Sequence, residues 1–291
     1  MTKEKSIHSI SILSERDFTT ETVRDELEKG SGMIRIRTEK NFEEFNESSD
    51  WFLEFCKKLG TPVSQSTKGE LVLSIRNESF GKNDPRTRGP NTKNKLGFHT
   101  DRCDVIAFLC MMPAMSGGEN QVVDSRKIAE IIQSERPDLY EVLQQRFPYK
   151  RHVIDQGNQK PFVMQPILSA CQGYFACSYL RVLIDRADHD DHCPSLTHSQ
   201  RLAIDFLDEV CERPEIQEKF TMKRGEILIL NNWIKLHRRT AFEDFPEPEK
   251  RRHLLRVWIS MPNSRPISDA FMENYGSTQA GAIRGGIKPI N

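Results

Sequence analysis

Residues 97–112, GFHTDRCDVIAFLCMM, set a histidine and an aspartate two positions apart at the head of an apolar run. In an extended chain, residues i and i+2 point to the same side. His99 and Asp101 can therefore present an imidazole and a carboxylate to one point, while Thr100 faces away as a spacer. The segment Asp104 to Met112 reads as a strand, and the longer apolar stretch Val105 to Met115 is interrupted by Pro113 and too short to span a bilayer. His-x-Asp by itself is more often a surface turn with an exposed carboxylate, and two ligands are not a site.

Outward from this run the pattern is one of short strands bounded by Pro, Gly, Asn and Asp: Met33–Arg37, Leu71–Ile75, Gln121–Val123, Phe162–Ile167, Tyr174–Ile184, Glu226–Leu230 and His253–Ser260. Helical periodicity marks Thr20–Gly30, Phe42–Leu59, Ser125–Ile132, Pro137–Gln145 and Ser199–Cys211. Strands and helices do not alternate regularly, which favours an antiparallel sandwich or jelly roll with decorating helices over a doubly wound sheet. With no repeat, low-complexity block or Gly/Ser linker, residues 1–291 are expected to form one domain, residues 1–69 supplying helix and strand elements packed on the jelly roll.

Acidic and basic side chains balance at 42 each, so no global field favours nucleic acid or an anionic membrane. The first residues, MTKEKSIHSI, lack the apolar core of a signal peptide, and a cytoplasmic protein is expected. The seven cysteines are scattered and include no CxxC, as expected of reduced thiols rather than a disulfide framework or zinc knuckle. No heptad or exposed apolar stripe speaks to oligomeric state.

A third candidate ligand lies far downstream, His237, directly after the apolar run Glu226–Leu230. Two histidines and a carboxylate on one face of an octahedron leave three positions open, the arrangement of non-haem iron(II) centres that bind a cosubstrate and dioxygen. A 2-oxo acid chelated there leaves a far carboxylate needing a fixed cation, and arginine's planar fork suits it better than lysine. Residues 251–258, RRHLLRVW, offer it: strand alternation puts Arg252 and Arg256 on one face and Arg251 and His253 on the other.

Taken in order, His99-Thr100-Asp101, Ser116-Gly117-Gly118-Glu119-Asn120-Gln121-Val122-Val123-Asp124, Leu236-His237-Arg238-Arg239-Thr240-Ala241-Phe242 and Arg252-His253-Leu254 resemble the taurine dioxygenase, 2,4-D dioxygenase and γ-butyrobetaine hydroxylase (TauD/TfdA) family. The terminal Arg284-Gly285-Gly286-Ile287 is similar to endings in one branch, and the resemblance spans roughly residues 70–290. It implies a double-stranded β-helix (jelly roll, cupin-like) and Fe(II)- and 2-oxoglutarate-dependent oxidation of an unactivated C–H bond by O2, with succinate and CO2 as coproducts. His99, Asp101 and His237 would be the iron ligands and Arg252 the partner of the distal 2-oxoglutarate carboxylate. Asn120 stands where many members carry a threonine or serine that touches 2-oxoglutarate, and Arg256 falls near a second arginine. The interval from His237 to Arg252 is long for the family, which leaves Arg251 as a stand-in. A carboxylate at Asp101 fills the position that related halogenases keep open for chloride, so hydroxylation, desaturation or C–heteroatom cleavage is implied. A metal-binding jelly roll without redox chemistry is the alternative from another class.

Two further stretches compete for attention. Asp188-His189-Asp190-Asp191-His192-Cys193 holds more metal-binding side chains per residue than any other segment, yet reads as a polar surface loop. Residues 80–95, FGKNDPRTRGPNTKNK, are basic loop chemistry just before His99, read either as a solvated loop or as a lid favouring an anionic group on a small, amino-acid-like or carboxylate-bearing substrate. Glu119 and Asp124 read as strand-end polar residues, and Cys103 and Asp104 as bystanders.

Overall fold

The structure is a computed structural model and describes residues 12–14, 19–40, 42, 44–78, 91–151, 153–155 and 160–290. Its larger sheet is built from β1 (Ile12–Ser14), β2 (Met33–Arg37), β3 (Thr61–Val63), β4 (Val72–Ile75), β5 (Val105–Met112), β13 (Glu226–Asn231) and β16 (His253–Ser260). The strand order is β1-β2-β13-β5-β16-β3, with β4 also paired to β16, and every pairing except β1 with β2 is antiparallel. Facing it, β7 (Asn120–Asp124) lies between β12 (Gln217–Phe220) and β14 (Lys235–Arg239). Shorter pairs complete the β framework: β6 (Ser116–Gly117) with β15 (Phe242–Glu243), β8 (Arg146–Lys150) with β9 (Phe162–Pro166), and β10 (Leu168–Cys171) with β11 (Tyr174–Cys177).

The expected mainly-β architecture with helices is what forms, and the period-2 pattern shows why. In β5, Val105, Ala107, Leu109 and Met111 face the helices α1 (Thr20–Lys29) and α2 (Phe45–Leu59), while Ile106 and Cys110 face the space between the sheets. Ile227, Ile229, Leu255, Val257 and Ile259 join the helix side; Leu228, Leu230, Leu254 and Trp258 join the inner side. A strand covered on both faces reads as a continuous apolar run, which is what the segment after Asp104 looked like. A second core, with α3 (Ser125–Glu135), α4 (Pro137–Leu143) and α6 (His198–Cys211), covers the outer face of the small sheet through Val123 and Leu236. Thr197 and Gln200 close a capping box that starts α6.

Two expectations change. The strand expected over Tyr174–Ile184 stops at Cys177, and residues from Arg181 form helix α5 (Arg181–Asp188). Tertiary pairing intervenes: Leu180 is held extended in a bridge to His99, and beyond it Arg181 and Asp185 pair one helical turn apart. Asp104 is no bystander. Fully buried, it accepts hydrogen bonds from Trp233 Nε1 (2.8 Å), Arg284 Nε (2.6 Å) and the Met261 N–H (3.0 Å), tying the strand after the His-x-Asp motif to the chain's last residues. No described helix is long and apolar enough to cross a membrane, and the seven cysteines are free, most of them buried.

Candidate active site

His99 and His237 come together through the backbone. Each donates its N–H to the other's carbonyl, at 3.1 and 3.0 Å, and such an antiparallel pair puts its side chains on one face. Their ring centroids are 4.5 Å apart. Asp101 Oδ2 lies 3.5 Å from His237 Nε2, and one ligand atom from each of the three residues falls within 4.8 Å of the others. This is the one such cluster of metal-ligating side chains among the described residues.

The tautomers suit a metal. His99 Nδ1 is 2.9 Å from the Gly97 carbonyl, which can only accept, so Nδ1 carries the proton and the Nε2 lone pair is available. Burial and the neighbouring His99 ring drive the His237 imidazolium pKa down to about 3, and the ring is therefore a neutral ligand at any working pH. Asn232, which sequence reading passed over, anchors the motif: its Oδ1 accepts the Asp101 N–H at 2.9 Å, and its amide donates to the carbonyls of Asp101 and, at 3.0 Å, Cys103.

Between the two sheets, next to these three residues, is a pocket whose walls come from the inward positions of β5, β7, β13, β14 and β16: Phe108, Asn120, Val122, Leu228, His237, Arg239, Leu254 and Arg256, with Arg252 just before β16. Among the described residues its lining holds four arginines and no carboxylate. Arg252 is 4% exposed, stacks over Phe242 at 5.2 Å, and keeps Nη1 buried without a hydrogen-bond partner. Its main-chain N–H is fixed by Asp244 at 2.8 Å. Burial lowers its pKa to about 10, and burial together with Arg252 brings Arg239 down to about 9. Arg239 spends its donors on the carbonyls of Asn94, at 2.6 Å, and Thr92, whereas the buried Nη1 of Arg252 has no partner among the described residues and suits a carboxylate. The glycine turn before β7 permits this approach: a Cβ on Gly117 would meet the Ala241 carbonyl at 2.3 Å, and one on Gly118 would sit 3.4 Å from Arg252 Nε.

The remaining candidates separate cleanly. Asn120 lines the pocket, its amide also 3.5 Å from the Phe220 carbonyl. Arg256 shares the pocket face with Arg252, but its Nη1 lies 3.6 Å from Asp101 Oδ1 and its Nε donates to Gln65 at 2.7 Å, so it steadies the carboxylate. Arg251 points to solvent and bonds the Pro246 carbonyl, which removes it as a stand-in for Arg252. Of the basic loop expected as a lid, residues 80–90 lie outside the described residues, and the described Lys93 and Lys95 are matched by Glu243 and Glu212 at 3.1 and 3.2 Å. Asp124 caps α3, as a strand-end residue would.

The chain is similar to a family of known proteins. The model of the family described as "Taurine catabolism dioxygenase TauD, TfdA family" matches residues 12–258. FR-33289 synthase of Streptomyces rubellomurinus is 28% identical over 231 residues, 77% of this chain and 67% of that protein. Trimethyllysine dioxygenase of Gallus gallus is 25% identical over 208 residues, 64% of this chain and 48% of its own length, so the chain spans about half of that relative. Among solved structures, asparagine oxygenase in complex with Fe(II), hydroxyasparagine and succinate superposes with a TM-score of 0.63 at 15% identity, covering 82% of this chain and 79% of that one. The iron oxygenase OrfP in complex with Fe and α-ketoglutaric acid follows at a TM-score of 0.60 and 16% identity, covering 83% and 79%. The chain belongs to the TauD/TfdA family and is a non-haem iron, 2-oxoglutarate-dependent dioxygenase.

Proposed function

We propose that His99, Asp101 and His237 hold the Fe(II) and that Arg252 receives the distal carboxylate of 2-oxoglutarate. Asn120 sits on the wall between them as a polar contact for the cosubstrate, and Arg256 keeps Asp101 oriented. The observation that carries the reading is the His99–His237 backbone pair with Asp101 beside it, opening onto a cavity whose charged walls are all cationic. Iron(II) in a two-histidine, one-carboxylate site supplies the redox centre for oxidative decarboxylation of 2-oxoglutarate and oxidation of a C–H bond by O2.

The chain's own residues do the rest. His99 Nε2 and the neutral His237 ring would offer lone pairs to the iron; the Asp101 carboxylate would fill a coordination position, leaving no site there for a halide, so hydroxylation is favoured. Phe108, Leu228 and Leu254 keep the cosubstrate end of the pocket dry, which strengthens the guanidinium–carboxylate attraction. The two facing sheets are read as a double-stranded β-helix within a single domain that includes the N-terminal elements. The substrate is proposed to be a small amino-acid-like or otherwise anionic metabolite, in line with the asparagine and arginine derivatives bound by structural neighbours and with the trimethyllysine in a relative's name.

Anaerobic protein mixed with Fe(II) and 2-oxoglutarate should develop a visible metal-to-ligand charge-transfer band, and His99→Ala or His237→Ala should abolish it. A band surviving both substitutions would overturn the ligand assignment.

A further inference from the structure

One side chain ties the stretch that leads into His99 to the cosubstrate wall. Arg239 stands two residues beyond His237 on β14, so strand alternation turns it to the same side, and it lines the pocket beside Arg252. Its Nη1 donates to the Asn94 carbonyl at 2.6 Å and its Nη2 to the Thr92 carbonyl. The Lys93 carbonyl between them accepts the Phe242 N–H at 3.1 Å, and the Leu96 N–H donates to the Arg239 carbonyl at 3.1 Å. Three consecutive carbonyls thus converge on residues 239–242, and Leu96 goes on to line the pocket just before His99 pairs with His237. The ion pairs of the same stretch, Lys93 with Glu243 and Lys95 with Glu212, join side chains that are half-exposed or more, and such pairs contribute little. The grip of Arg239, a buried residue, is the one shielded from water.

Its neighbour makes this grip sensitive to the cosubstrate. The guanidiniums of Arg239 and Arg252 lie over the same Phe242 ring, 4.7 and 5.2 Å from its centroid. Carbonyl dipoles satisfy donors of Arg239 without cancelling its charge, so the two cations repel each other where water is scarce. The Asp244 carboxylate acts on both and is therefore shared. A carboxylate seated on Arg252 offsets that repulsion and favours Arg239 in its place.

We propose that Arg239 is a positioning residue for the cosubstrate: it holds residues 92–96 in place as a wall of the pocket, and a 2-oxoglutarate carboxylate on Arg252 tightens that hold. The inference rests on the assignment of Arg252 above and deepens it by naming the residue that acts through it. Coupling between two equilibria is reciprocal, so whatever loosens residues 92–96 also weakens 2-oxoglutarate binding.

The test follows amide hydrogen exchange of the full chain, loaded anaerobically with Fe(II), with and without saturating 2-oxoglutarate. In the unsubstituted protein the amides of Leu96 and Phe242, whose acceptors are the Arg239 and Lys93 carbonyls, should exchange about fivefold or more slowly once 2-oxoglutarate is bound. Arg239→Gln and Arg239→Lys should each lose that slowing and raise the 2-oxoglutarate Kd, read from the charge-transfer band, about five- to tenfold. Lysine restores the charge but not the planar fork that spans two carbonyls. Exchange at Leu96 and Phe242 indifferent to 2-oxoglutarate in the unsubstituted protein would overturn the proposal, a result that needs no variant to fold. So would a Kd unchanged by Arg239→Gln, or full rescue of both readouts by Arg239→Lys. The two readings fail differently: a missing charge-transfer band in the unsubstituted protein, or a Kd indifferent to Arg252→Ala, overturns the earlier assignment. A band sensitive to Arg252→Ala with exchange at Leu96 and Phe242 unmoved overturns this inference alone.

Discussion

Two stretches of this chain are rich in histidine and aspartate, and they meet opposite fates. In residues 188–193 the Asp188 and Asp190 carboxylates and the Nδ1 of each histidine are taken up by other groups. Asp188 caps the Leu196 N–H at 2.7 Å and grips Arg201 with both oxygens, His189 Nδ1 bonds the Asp185 carbonyl at 2.7 Å, and Asp190 pairs with Lys150 and receives the His192 N–H at 2.9 Å. The Asp190 carboxyl is pushed down to about 2, first by the Lys150 hydrogen bond and then by the His192 N–H. In residues 99–101 only two ligands are present, but a cross-strand pair adds the third and their lone pairs face a cavity. Ligand density along a chain measures solvation; convergence from distant strands makes a site.

The largest effect that could break this contrast is loss of turnover. His237→Ala should lower succinate formation from 2-oxoglutarate at least a thousandfold, while the double substitution His189→Ala with His192→Ala should stay within about twofold of the unsubstituted protein. Comparable losses in the two variants would erase the distinction between loop and site.

Next in size is the cosubstrate anchor. Arg252→Ala should raise the 2-oxoglutarate Kd by about 100-fold, read from the charge-transfer band, with the Fe(II) affinity far less affected. Arg251→Ala, at a solvent-facing guanidinium, should change the Kd less than about twofold. If Arg251→Ala proved the more damaging, the strand register that turns Arg252 inward would be the wrong basis for the assignment.

The part of the site that was legible from sequence is the part set by strand alternation. A period of two put His99 with Asp101 and Arg252 with Arg256, and the structure keeps both pairs on the pocket side. The apolar runs read as strands over Asp104–Met112 and Glu226–Leu230 form β5 and β13, whose two faces are both covered. What sequence could not show is which polar residues far apart would meet. Asn232 clamps residues 101–103 from 131 and 129 positions away, Gln65 braces Arg256 from 191, and Asp104 meets Arg284 from 180. Asn232 and Gln65 carry no local pattern, and the Arg284-Gly285-Gly286-Ile287 ending gives no sign that Asp104 is its partner. The misread segment Tyr174–Ile184 fails for the same reason, since Leu180 is extended only because His99 pairs with it.

Asn232 sharpens the point, because it acts through Asp101 and not on the metal. Asn232→Ala should weaken Fe(II) binding about 10- to 100-fold in a titration followed at the charge-transfer band, the usual consequence of freeing a ligand's support. The KM for 2-oxoglutarate at saturating iron should move little. A uniform loss of melting temperature with unchanged iron affinity would make Asn232 a fold residue only.

The smallest expected effect separates the two faces of β16. Arg252 and Arg256 turn inward, whereas His253 turns out, stacking on Phe45 at 5.5 Å and hydrogen-bonding Ser74 Oγ through Nε2 at 2.8 Å and Arg76 through Nδ1 at 2.9 Å. Partial burial first, then Arg76 and Arg252, lower the His253 pKa from 6.5 to about 4. A depressed pKa means the unfolded chain binds the proton more readily, so this residue's contribution to stability is complete above about pH 6.5 and is lost as the pH falls toward 4. Solvent screening at the ring's exposed edge holds that contribution to about 1 kcal/mol. His253→Gln should therefore flatten the dependence of melting temperature on pH between 6.5 and 4, with no change in the 2-oxoglutarate Kd at pH 7.5. An altered Kd at that pH would mean that the outward face of the strand reaches the pocket, and the division between its two faces would fall.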